Sequence, residues 1–187
     1  MTVYTGSFDD LPLFQYDMIM ADPPWSFENW SYKGEHKGAA SKYDCMSLDD
    51  IKSLPVGHIA KPDSLLWLWA TNPMLPQALE VMAAWGFTFK TAGHWGKVSE
   101  NGTLSFGTGY ILRSAGEPFL IGTIGKPKNT RTVRSLIIAP RREHSRKPSR
   151  AYYWAEQLVP GAKRIELFSR EPRKNWDTWG NEAEKFT

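Results

Sequence analysis

Apolar residues in this chain come in short bursts, and none lasts long. The runs Tyr16–Ala21, Ser64–Ala70, Phe87–Thr91, Pro118–Ile124, Leu136–Ala139 and Lys163–Phe168 are each bounded by turn residues. Runs this short read as strands of a sheet covered on both faces. Helical patterns lie between some of them. Asn72-Pro73 opens one over Met74–Trp85, with Pro76 in its first turn and Gly86 as its stop. Residues 149–158 form a second, closed by Pro160-Gly161, and Leu48–Leu54 a short third capped by Ser47. Alternating strands and helices predict an α/β layered domain. A chain of 187 residues with no repeat and no linker predicts a single domain over residues 1–187. Two stretches, Glu28–Asp44 and Lys97–Gly116, carry neither pattern and are expected to be long functional loops.

Composition removes several function classes. Cys45 is the one cysteine, so no internal disulfide can form and a reducing compartment is expected. The four histidines are scattered, with no HxxxH or CxxC pair, so no metal site is expected. The N-terminus lacks a basic segment followed by an apolar one, and no run approaches the ~20 apolar residues of a membrane span. A soluble, cytoplasmic protein is the expectation. Net charge is only +3, but residues 126–150 carry nine Lys and Arg against one acid, Glu143. That segment is either a solvated charged face or a phosphate-contacting surface, with Lys126, Arg131, Arg141 and Arg142 among its candidate contacts.

The first apolar run ends on chemistry. Residues 18–25 read Met-Ile-Met-Ala-Asp-Pro-Pro-Trp. In an open α/β sheet, ligands bind beyond the C-terminal ends of the strands. Asp22 is therefore delivered to the functional edge, and Pro23 and Pro24 fix the backbone that follows. Neither proline donates a hydrogen bond, so the carboxylate and the carbonyls form a cluster of acceptors, with the Trp25 ring beside them. Such a cluster suits a planar group bearing an amine, and the 6-amino group of adenine fits. Its lone pair is delocalised into the ring. Two acceptors on its hydrogens would draw it towards a tetrahedral shape, ready for in-line displacement on a sulfonium methyl. A plain Pro-rich turn is the alternative. A Walker B acid is another, but the chain has no GxxxxGK[ST] loop, nor a GxGxxG after a strand.

Further blocks extend the motif. They are Lys42-Tyr-Asp-Cys-Met-Ser47, Leu66-Trp-Leu-Trp69, Gly116-Glu-Pro-Phe-Leu-Ile-Gly122, Ser145-Arg-Lys-Pro148, Arg164-Ile-Glu-Leu-Phe-Ser-Arg170 and Asn175-Trp176 with Gly180-Asn181. In this order, over nearly the whole chain, they resemble the MT-A70 family of adenine amino-methyltransferases. The resemblance implies a Rossmann-like sheet with helices on both faces and S-adenosylmethionine as cofactor. It also implies a permuted order, with the catalytic tetrad ahead of the main cofactor segment. By resemblance, Asp22, Pro23, Pro24 and Trp25 are catalytic, Asp22 and the Pro23 carbonyl holding the target amine. Lys147, Phe168, Arg170, Asn181 and Glu182 would bind the cofactor together with Asp22. Tyr43 would lie on a gate loop and Glu117 near the target base.

The chain departs from the family near its N-terminus, where Val3–Phe8 has no aspartate, and after Arg170, where Glu171-Pro-Arg-Lys174 replaces a Pro-His-Asn run. The expected activity is S-adenosylmethionine-dependent methylation of adenine in nucleic acid, with DNA favoured over RNA. The base must be flipped out or unpaired. A catalytically silent nucleic-acid-binding subunit is the alternative of another class, disfavoured by the intact tetrad. A homodimer or a second subunit is compatible with so small a chain.

Overall fold

The computed structural model of the chain describes residues 1–25, 46–109, 111–142, 146–181 and 183. Among these, eight strands form one sheet: β1 Val3–Tyr4, β2 Tyr16–Ala21, β3 Ala60–Trp69, β4 Thr88–Val98, β5 Gly116–Ile124, β6 Leu136–Pro140, β7 Arg164–Leu167 and β8 Asp177–Trp179. Their order across the sheet is β1-β8-β7-β2-β3-β5-β4-β6. All neighbours are parallel except where β5 meets β3 and β4. This is a Rossmann-like sheet with one reversed strand.

The helices are α1 Leu48–Ser53, α2 Val56–Ile59, α3 Leu75–Ala84 and α4 Ser149–Leu158. The alternating faces of β2 explain the layers. Tyr16, Ile19 and Ala21 join Ile51, Val56, Ala78 and Val81 of α1, α2 and α3 in one core. Met18 and Met20 join Ala151, Tyr152 and Ala155 of α4 in the other. The sheet is thus covered on both faces, as the unbroken apolar runs require. Among the described residues no helix is long and apolar enough to cross a membrane.

The expected elements hold with shifted ends. The Ser47 hydroxyl accepts from the Asp50 amide and caps α1. Strand β3 starts earlier than Ser64, and β4 runs seven residues past Thr91, to Val98. The stretch from Lys97 to Gly116 is therefore not one structureless loop. Lys97 and Val98 end β4, and Lys97 O accepts from Ser105 N at 2.8 Å while Lys97 N donates to Ala115 O at 2.8 Å. The strands extend into a hydrogen-bonded hairpin whose tip exposes Leu104, Phe106 and Leu112. The expected loop over 28–44 lies outside the described residues.

Strand β2 is the switch point of the sheet. From it the chain proceeds outward to β3 on one side, while β7 and β8 lie on the other. Met20 pairs with Glu166 and Ala21 with Leu167, so β2 and β7 end level with each other. Parallel strands that diverge in this way leave a crevice beyond their C-terminal ends, and this is where α/β sheets bind ligands.

Candidate active site

Asp22 is the first residue beyond β2, its amide 3.5 Å from Leu167 O at the end of β7. The turn after it is locked by its own bonds. Trp25 N donates to Pro23 O at 2.8 Å, Met46 N donates to Pro24 O at 3.3 Å, and Trp25 Nε1 donates to Trp69 O at 3.1 Å. Each carbonyl keeps a second lone pair, but the acceptors are not idle as the sequence alone suggests. Trp25 is buried in the core, so its indole anchors the turn to β3 instead of offering an open platform.

A chain of alternating charges crosses the crevice. Lys147 Nζ lies 2.8 Å from Asp22 Oδ2 and 2.9 Å from Glu117 Oε2, and Glu117 Oε1 accepts from Lys97. Lys147 reaches Asp22 because Pro148 ends its segment just ahead of α4. Glu117 reaches it because β5 is reversed, so that its first residues, not its last, lie at this edge. The ammonium sits 5.2 Å from the centre of the Trp69 ring, a cation–π contact. The Asp22 side chain retains 23% of its exposure, so a ligand can still reach it.

Burial pushes the Asp22 carboxyl above the usual aspartate range; Lys147 opposes that and Glu117 adds to it. Burial would also raise Glu117, but Lys147 and Lys97 outweigh it and hold the carboxyl down to about 2. Lys147 is pulled down by burial, yet the two carboxylates keep it above the usual lysine range. Glu117 and Lys147 are therefore fixed charges, and Asp22 is the member of the chain whose charge burial disfavours.

The structure gathers most of the expected site. Asp22, Pro23, Pro24, Glu117 and Lys147 meet at the end of β2. Lys147, expected at the cofactor, bridges Asp22 and Glu117. Phe168 follows β7 with φ at 61°, a strained conformation for a residue with a side chain, and its ring meets the Trp179 edge at 5.4 Å. Arg170 lies close enough to lower the Asp22 carboxyl, working with Lys147 against burial. Asn181 follows β8 beside that segment, where Ser169 N donates to Trp179 O at 3.0 Å. Gly180 permits the approach, since a Cβ there would stand 2.8 Å from Ser169 O. Tyr43 and Glu182 lie outside the described residues.

The basic segment divides. Arg141 and Arg142 follow β6 at the edge that carries Asp22. Lys126 does not join them, because its amide donates to Asp63 Oδ1 at the opposite end of β3. Thr130, next to Arg131, donates to Leu158 O at the far end of α4. Sequence reading misses Lys97 and Trp69 as site residues. Lys97 stands at the start of a stretch without apolar period, and a tryptophan in an apolar run looks like any core residue. Among the described residues no group of three or more His, Cys, Asp and Glu is placed to hold a metal.

A family model described as MT-A70 matches residues 16–182. The chain is 32% identical to the type II methyltransferase M.MunI of a Mycoplasma species, over 94% of this chain and 81% of that protein. It is 28% identical to an N(6)-adenosine-methyltransferase MT-A70-like protein of Arabidopsis thaliana, over 89% of this chain and 24% of the relative. It is 27% identical to the human N(6)-adenine-specific methyltransferase METTL4, over 94% of this chain and 40% of the relative. The chain thus spans most of the Mycoplasma protein and less than half of the other two.

Proposed function

The chain belongs to the MT-A70 family, and from that membership we propose that it methylates the 6-amino group of adenine in DNA with S-adenosylmethionine as donor. The observation that carries this reading is the place of Asp22: a reachable carboxylate on a locked turn, at the crevice where the strand order diverges. The similarity to the Mycoplasma enzyme, which covers most of both chains, favours DNA. A bacterial relative also favours action in the cytoplasm.

The residues beyond β7 and β8 fit the cofactor. Backbone groups at the strained Phe168 and the exposed Asn181 amide would hold its ribose, and Arg170 would close its flank. When bound, S-adenosylmethionine supplies an electrophilic methyl carbon. Lys147 occupies Asp22 Oδ2, which leaves Oδ1, with the second lone pair of Pro23 O, to accept from the two hydrogens of the target amine. Those bonds localise the nitrogen lone pair. After transfer, the surplus proton leaves from the nitrogen along the bond to Asp22 Oδ1. Glu117 and Lys147 keep the carboxylate oriented, and Trp69 walls the site.

The test replaces Asp22 by Asn, which preserves shape but can donate where only acceptors serve. Labelled-methyl transfer to DNA should fall by about 10²–10³-fold or more, in line with losing a preorganised electrostatic group. Cofactor affinity measured by calorimetry should change little. Undiminished transfer by Asp22→Asn would remove the carboxylate from the mechanism. Matched DNA and RNA strands in the same assay, with sequencing of the methylated DNA, decide the polymer and give the target site.

A further inference from the structure

A second concave feature lies on the α4 side of the sheet, one residue along the chain from Lys147. It is a cleft of about 460 Å³ in which Arg142, Arg146, Arg173 and Lys174 stand against two carboxylates, Glu156 and Glu171. Both carboxylates are engaged. Glu156 Oε1 accepts from the Trp176 indole at 2.8 Å. Glu171, only 7% exposed, accepts from Arg146 Nε at 2.7 Å and from Arg173 Nη2 at 2.5 Å, with Arg142 Nη1 3.6 Å away. One buried carboxylate thus fans three guanidinium groups around itself. A guanidinium carries five N–H donors in a rigid, planar fork suited to oxyanions. With four cationic side chains against two carboxylates, the cleft keeps a net positive charge in one small volume.

The arginines are also fixed from other sides. Arg173 stacks on the Tyr152 ring at 3.7 Å, and Arg142 Nη1 donates to Ser149 Oγ at 3.2 Å and to Lys147 O at 3.4 Å. Such preorganised forks match the oxygens of a phosphate group. The last bond links the cleft to the site: Lys147 offers its ammonium to Asp22 while its carbonyl is held by Arg142. Arg146 and Lys147 are consecutive, with Cα atoms about 3.8 Å apart, so the cleft adjoins the segment that supplies Lys147 to Asp22.

We propose that this cleft seats one backbone phosphate of the DNA strand, next to the target nucleotide, and so sets the base over Asp22. The inference rests on the function proposed above. It assigns binding to Arg173 and Lys174, which come from the segment where the chain departs from its family, and it makes Glu171 the residue that positions the fan.

The experiment uses the full chain and a short DNA strand carrying the sequence found to be methylated. Each phosphate near the target adenine is replaced, one at a time, by a neutral methylphosphonate. For the unaltered protein, KM should rise about tenfold at one phosphate adjacent to the target nucleotide, the cost of losing a charge-assisted contact. Lys174→Gln, at an exposed position that spares the fold, and Arg173→Gln, checked by thermal unfolding, should raise KM on the unmodified strand. Both should respond less than the unaltered protein to that one replacement, with cofactor affinity unchanged. The slope of log KM against log salt should drop by about 1 for each variant. Variants with unchanged KM, or as sensitive as the parent at every phosphate, would overturn the inference while the methyltransferase stands. So would a loss of cofactor affinity, which would give the cleft to the cofactor. Absence of methyl transfer by the unaltered protein would remove both readings.

Discussion

Glu166 shows how far one residue can be read from its bonds. It sits on β7 level with Met20, buried, and accepts from Tyr152 OH at 2.6 Å. The Ser169 hydroxyl lies 2.9 Å from its other oxygen and 3.0 Å from Glu171 O. One hydroxyl proton cannot serve two acceptors. If Glu166 is neutral, it donates to Ser169, Ser169 donates to Glu171 O, and every group is satisfied. Burial accordingly pushes the Glu166 carboxyl up to about 7, against the bonds from Tyr152 and Ser169 that would lower it. A folded value above the ordinary 4.5 means that the native state binds the proton more tightly. Its stabilising effect is full below pH 4.5 and is lost as pH rises through 7. Over that window the protein should lose about 2–3 kcal/mol from this group. Glu166→Gln, whose amide reproduces the neutral bonding, should abolish the loss. Urea unfolding of both proteins at pH 5 and pH 8 checks this, and equal slopes against pH would refute it.

At the scale of elements, the strands that were legible are those that had to be apolar on both faces, because burial leaves a mark that survives without context. Strand β2 was read to its ends, and β7 was recognised with ends shifted by one residue. The short strands β1, at the sheet edge, and β8, next to it, leave no such mark, since two and three residues are too few for any period. They are made by a side chain instead. Asp177 is buried at the start of β8, where it accepts from Thr2 N at 2.7 Å, Tyr16 OH at 3.1 Å and Lys163 Nζ at 2.6 Å. It therefore joins the approaches to β1, β2 and β7. Burial would raise its carboxyl, but Lys163, the Thr2 amide and Tyr16 together lower it below the ordinary 3.8. A depressed value contributes stability above pH 3.8 and loses it as pH falls through the folded value. Asp177→Ala, which strands a buried hydroxyl and removes a paired charge, should cost about 3 kcal/mol at pH 7. It should also flatten the acid limb of the stability curve. A variant that unfolds like the parent at both pH 7 and pH 3 would mean that the edge holds without this residue.

For the molecule as a whole, the tetrad and the segment after β7 could be found in the sequence because each is continuous. Glu117 and Lys147 can be named only through the family resemblance, and Lys97 not at all, because their meeting is assembled across strands: Lys97 arrives on β4, Glu117 on the reversed β5, and Lys147 from the segment before α4. Charge follows the same rule. The block of cations over 126–150 is one feature in the sequence and two in space. From Trp69, at the edge that carries Asp22, to Asp63, which holds Lys126, is six residues along β3. At ~3.3 Å per residue that is about 20 Å, more than twice the ~8 Å screening length of physiological salt. Arg131 is likewise separated from Ser149 by the ten residues of α4, about 15 Å of helix. Neither cation can stabilise a phosphate close to the target base. The double substitution Lys126→Gln with Arg131→Gln should therefore leave KM for a short oligonucleotide within about twofold at physiological salt. Arg142→Gln, at the edge shared with Asp22, should raise it about tenfold. Steady-state methylation of a strand too short to span the sheet makes the comparison. A tenfold rise for the double substitution would mean that the strand runs along the sheet towards its far end, and not across the crevice.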